Sequence, residues 1–258
     1  MNNCKIIFKD QQQKENHIMK KTLKTTAAIL AAITAISCAS FPSFAEKSQD
    51  TAGEEIAAYI PVAGGWSVNE GMDISLSSNP EAKAAFKKAT EKLTGVDYKP
   101  IALLGTQVVA GMNYAVLCRS KAVYPDAQPE IKIMYIYADL EGNAEITGFQ
   151  TIIGKQLMGG FTANAGKLSM GKNKDVKKIY KKAMKGLEGV TYSPAAYLGS
   201  QVVAGTNYMI LCRSRVVYPG APYQWSLVKV NKDLKGKASL VDIETLDLGT
   251  MDDQNASE

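Results

Sequence analysis

Residues able to do acid–base or nucleophilic chemistry are scarce in this chain. It holds one histidine, His17, and four cysteines, Cys4, Cys38, Cys118 and Cys212. A Ser-His or Cys-His pair needs a histidine beside the nucleophile, and no cysteine spacing here matches a metal-ligand motif. Cys118 and Cys212 lie in apolar runs and read as two buried thiols; the alternative, a bridge in an exported protein, would need two matched mid-strand sites in separate domains to come within disulfide range. Asp139 and Asp233 are acids that recur in the repeat described below, but both stand beside glycine turns, where aspartate is common for conformational reasons. The expected mode of action is therefore binding rather than catalysis, with no cofactor and no metal.

The residues suited to binding come in two sets. Gln107-Val108-Val109-Ala110-Gly111 reappears as Gln201-Val202-Val203-Ala204-Gly205, and each set is followed after one residue by Asn-Tyr. A glycine at a hairpin turn permits positive φ and close backbone approach. The small apolar tip before it can enter a narrow cleft without burying unpaired charge. A Gly-Gly pair precedes each set, in Val62-Ala63-Gly64-Gly65 and in Leu157-Met158-Gly159-Gly160.

These sets belong to a repeat with a constant offset of 94 residues. Gly95-Val96-Asp97-Tyr98 returns as Gly189-Val190-Thr191-Tyr192, and Leu117-Cys118-Arg119-Ser120 returns as Leu211-Cys212-Arg213-Ser214. No gap is needed from Gly95 to Ala144, so one unit is present twice. In the first copy Asn79 and Pro80 suit a helix start, and Ala82, Ala85, Phe86, Ala89 and Leu93 recur at helical spacing before Gly95. The second copy places Val176, Ile179, Tyr180, Ala183 and Leu187 likewise. Runs rich in Val, Ile, Leu and Tyr then alternate with Ala110-Gly111, Tyr124-Pro125 and Glu141-Gly142-Asn143, which predicts strands joined by hairpins.

Around the Gln-x-Val-x-Gly hairpins the sequence resembles the cystatin superfamily, and the glycine pairs resemble the cystatin N-terminal trunk. The resemblance runs from about Pro61 to Leu248. It implies an α+β chain of two tandem cystatin-like domains, each one helix packed on an antiparallel sheet, and a reversible, non-covalent inhibitor of papain-type cysteine peptidases. The peptidase-binding residues implied are Gly64, Gly65, Gln107 to Gly111, Gly159, Gly160 and Gln201 to Gly205. One departure stands out: where inhibitory cystatins carry Pro-Trp in a second hairpin, this chain has Asp139-Leu140-Glu141-Gly142-Asn143 and Asp233-Leu234-Lys235-Gly236-Lys237. Trp225 falls inside the preceding strand. The alternative is a non-inhibitory binding or adhesion module on the same scaffold. Because the first trunk is free and the second is a linker, the first copy is expected to bind better, and Gly111 to matter more than Gly205.

The N-terminal 45 residues read as a targeting segment. Lys20, Lys21 and Lys24 precede an apolar run from Ala27 to Ile36, and Ser43-Phe44-Ala45 offers a cleavage site, with residues 1–18 as an upstream extension. The apolar run is too short for a membrane span. Lipidation at Cys38 is the alternative, although Ala35 stands where such sites usually carry Leu. Cleavage removes four of the five net positive charges, so no nucleic-acid-sized basic excess remains. The expected organisation is an extension and leader over 1–45, a first domain over 46–154, a second over 155–250 and a tail over 251–258, in a secreted or periplasmic protein.

Overall fold

A computed structural model describes residues 64–71, 73–155 and 159–252. The leader, Cys38, Val62-Ala63, Leu157-Met158 and residues 253–258 lie outside the described residues. The first copy runs β1 (Ser67–Val68), a 3-10 turn (Leu76–Ser78), α1 (Pro80–Thr90), β2 (Val96–Val109), β3 (Gly111–Ala122), β4 (Glu130–Ala138) and β5 (Ala144–Ile153). The second runs β6 (Thr162–Ala163), α2 (Lys174–Ala183), β7 (Val190–Val203), β8 (Gly205–Val216), β9 (Gln224–Lys232) and β10 (Ala238–Leu246). Each forms an antiparallel five-stranded sheet, ordered β1-β2-β3-β4-β5 and β10-β9-β8-β7-β6.

Both faces of each sheet are apolar, and this decides the architecture. On the first sheet Leu103, Tyr114, Val116, Cys118, Met134 and Ile136 face the side covered by Ala82, Ala85 and Phe86 of α1. Their neighbours Ala102, Leu104, Ala115, Leu117, Ile131, Ile133 and Tyr135 face the other way. There they join Ala196, Leu198, Met209, Leu211, Trp225 and Leu227 of the second sheet in one core. Successive side chains on a strand alternate between faces, so an unbroken apolar run needs cover on both.

The expectation of an α+β chain of two tandem cystatin-like domains, each one helix packed on its own sheet, is corrected by this arrangement. Antiparallel strand dominates, the helices are two short elements on the outside, and the largest core lies where the two sheets meet. Neither copy covers its inner face alone. The described residues accordingly fall in a single compact unit. The indole Nε1 of Trp225 donates to the Leu104 carbonyl across the junction at 2.7 Å. The segment after β10 also crosses over: the amide of Gly249 donates to the Tyr135 hydroxyl at 3.0 Å, and Asp252 accepts from the Thr151 amide at 2.8 Å.

Two details of the helices differ from the pattern reading. Asn79 makes no side-chain cap; its amide donates to the Ser75 carbonyl at 3.0 Å, within the 3-10 turn. Leu93 and Leu187 fall past the helix ends and are exposed. Cys118 and Cys212 are free, buried and in separate outer cores, and burial pushes each thiol up to about 12.

The junction has an approximate twofold relation, with two kinds of contact made in both directions. Nη1 of Arg119 on β3 donates to the carbonyls of Ala165 at 2.6 Å and Gly166 at 2.8 Å, just past β6. Nη1 of Arg213 on β8 donates to the Gly71 carbonyl at 2.9 Å, just past β1. Ile153 closes on Gly199, and Leu248 closes on Gly105. Arg119 and Ile153 lie far from the β2–β3 hairpin, whereas Gly199 and β6 lie close to the β7–β8 hairpin. The hairpin end of each sheet therefore abuts the far end of the other, and the two hairpins sit at opposite ends of the molecule.

Candidate functional site

The β2–β3 hairpin turns at Ala110-Gly111 and the β7–β8 hairpin at Ala204-Gly205, each with its Val-Val pair in the last two strand positions. Only glycine suits the residue after the tip. Gly111 and Gly205 have φ of 124° and 116°, and a Cβ there would meet the carbonyl oxygens of Ala138 and Lys232. The neighbouring strand presses against the hairpin at that point.

The glutamine of each set performs a task its position in the sequence did not disclose. Gln107 Nε2 donates to the carbonyl of Gly64 at 2.5 Å, and Gln201 Nε2 donates to that of Gly159 at 2.6 Å. Asn113 and Asn207, across the ladder, donate to the same glutamines at 2.7 and 2.9 Å and fix the amide orientation. Trunk and hairpin are thus joined in both copies, although they are more than forty residues apart in the chain. Gly64 and Gly159 hold φ near +80°, in the left-handed region. Gly65 and Gly160 do not, and the structure gives them no comparable bond.

The tips are apolar and exposed. Val108 is 67% exposed and Val202 83%, while Val109 and Val203 are partly covered. Beside each hairpin, the turn between the last two long strands adds a side chain that sequence reasoning passed over. Leu140 is 87% exposed and Leu234 85%. Asp139 accepts from the amides of Glu141 and Asn143 at 2.9 and 2.8 Å, and Asp233 accepts from those of Lys235 and Lys237 at the same distances. These bonds tighten the turn and leave the leucine pointing outward. The Asn143 side chain and amide, bonding to its carboxylate, hold Asp139 below the usual carboxylate range. The signal available in the sequence is the repeated Asp-Leu-x-Gly, Asp139 to Gly142 and Asp233 to Gly236.

Trunk, first hairpin and second turn therefore line one end of each sheet in that order. The line presents backbone and short apolar side chains; Asp139 or Asp233 is spent on its own turn. Among the described residues no group of three or more His, Cys, Asp or Glu side chains is placed to hold a metal. No helix among them is long and apolar enough to cross a membrane. No protein family matches this chain, and no curated protein matches it in sequence.

Proposed function

We propose that this protein is a reversible, non-covalent inhibitor of papain-type cysteine peptidases, secreted or periplasmic, which carries one binding edge at each end. The observation that carries the reading is the bond from Gln107 to Gly64, repeated from Gln201 to Gly159, which locks an apolar hairpin beside a glycine trunk. Such an edge suits a narrow, partly apolar active-site cleft: the Val-Val-Ala tip fills it, and the glycine backbone lies along its wall without a protruding side chain. The resemblance of both hairpins to the cystatin Gln-x-Val-x-Gly segment supports the same target class. Leu140 and Leu234 supply an apolar contact at the second turn, where cystatins carry Pro-Trp. Leucine anchors contribute less than tryptophan, so micromolar rather than picomolar inhibition is the expectation.

The test is titration of papain with the chain from Glu46 onward. Saturable, competitive inhibition is expected, with two peptidases bound per chain by light scattering because the edges face opposite ways. If high micromolar protein leaves papain fully active, the inhibitor reading falls and a non-inhibitory binding module takes its place.

A further inference from the structure

At the end of the second sheet away from its hairpin, Thr191 and Ser193 on β7 stand opposite Arg215 and Arg213 on β8. Alternate residues share a face, so all four side chains point into one groove of about 450 Å³. Tyr223 completes it. The guanidinium carbons of Arg213 and Arg215 lie 4.7 and 5.2 Å from its ring centroid. Tyr218, exposed on the turn before β9, forms the outer wall.

Two arginines converge here without a carboxylate. Among the described residues neither forms an ion pair, and Asp73, which lines the adjoining cavity beside Arg213, lies outside pairing distance. Arg213 uses Nη1 on the first copy's backbone, and a guanidinium has five N–H donors, so donors remain. The first copy lacks this arrangement at the matching positions. It has Asp97 and Lys99 for Thr191 and Ser193, Lys121 for Arg215 and Pro129 for Tyr223. There Lys99 is answered by Asp97 at 3.1 Å, and among the described residues no aromatic ring stands beside Lys121.

We infer that the groove binds an acidic oligosaccharide. Arg215 and the free donors of Arg213 take a sugar carboxylate or sulfate. Thr191 and Ser193 take ring hydroxyls, and the tyrosine rings pack against sugar C–H faces. A sugar fits better than an extended acidic peptide because the groove lies on a sheet face. The side chains of Thr191, Ser193, Arg213 and Arg215 stand off that face, so the groove offers hydroxyl and guanidinium donors rather than the backbone edge that strand addition uses. This site is separate from both hairpins and does not depend on peptidase inhibition.

The probe is a sulfated uronate–glucosamine tetrasaccharide titrated into the chain from Glu46 at 150 mM salt, followed by calorimetry and amide chemical shifts. The expected result is one site, with shifts centred on Thr191, Arg215 and Tyr223. Arg215→Ala should weaken binding roughly tenfold, the usual effect of losing a charge-assisted contact. Tyr223→Ala should also weaken it, while Lys121→Ala, the matching change in the first copy, leaves it unchanged. Circular dichroism checks that the variants fold, and the shift map of the unaltered protein tests the site without them. Absence of binding, equal loss in Lys121→Ala, shifts spread over the surface, or equal affinity for inorganic sulfate or an acidic peptide would each overturn the proposal.

Discussion

The two copies match closely where they end in hairpins and differ where they meet. At the hairpin end the glutamine, the trunk glycine, the strained turn glycine and the protruding leucine recur with nearly the same distances. At the junction Trp225 stands where the first copy has Ile131, and Lys229 where it has Tyr135. A joint core filled by two non-identical halves cannot be split evenly: Trp225 reaches into the first copy for its hydrogen bond, and Tyr135 binds the segment that follows the second. The shared interior therefore belongs to both copies, while each binding edge belongs to one.

The largest expected effect tests that sharing. Trp225→Ala removes a fully buried indole and leaves the Leu104 carbonyl without its donor, so it should cost about 3–5 kcal/mol of stability. Ile131→Ala should cost about 2–5 kcal/mol by the same mechanism. In denaturant each variant should still unfold in one transition seen by both tryptophan fluorescence and far-ultraviolet dichroism, and limited proteolysis should yield no stable half. Two separate transitions would show that the copies stand alone, as the sequence reading supposed.

A smaller effect tests the equality of the edges. Chain connectivity suggested that Gly111 matters more than Gly205, yet both trunk carbonyls are held alike and both turns press on the next strand. Gly111→Ala and Gly205→Ala should each strain their hairpin by about 1–3 kcal/mol. Each should leave one active edge, so that papain stoichiometry falls from two to one in either variant. A silent Gly205→Ala with an inactive Gly111→Ala would restore the unequal picture.

Leu140→Ser and Leu234→Ser should weaken peptidase binding several-fold, about 1 kcal/mol for a partly buried apolar contact, with stability unchanged because both side chains are exposed in the free protein. Inhibition and thermal melts measured together check this. An unchanged inhibition constant would remove the second turn from the edge.

The smallest effect concerns pH. Asp139 has a folded pKa lowered by its bonds from Asn143, so its contribution to the turn is present above the ordinary carboxylate range and is lost as pH falls through the lowered value. The side-chain carboxyl shift of Asp139 should move only at strongly acid pH, and the movement of the Asn143 amide that accompanies it should vanish in Asp139→Asn. Movement beginning well above the carboxylate range would contradict the hydrogen bonds seen at the turn.

The repeat, the hairpin turns at Ala110-Gly111 and Ala204-Gly205, and the burial of Cys118 and Cys212 were legible in the residues alone. Each is set by neighbours close in the chain, through turn chemistry and alternation. The missing alternation was legible too: Tyr114 to Cys118 and Ile133 to Ile136 are unbroken apolar runs, a sign that both sheet faces are covered, but which surface covers the second face is a long-range question. Only the tertiary structure decided it, by packing sheet against sheet, turning the hairpins to opposite ends and bringing Gln107 and Gln201 onto the trunk carbonyls. Spacing along a strand dictates which side a residue faces, whereas partners across a core depend on shape and volume summed over both copies.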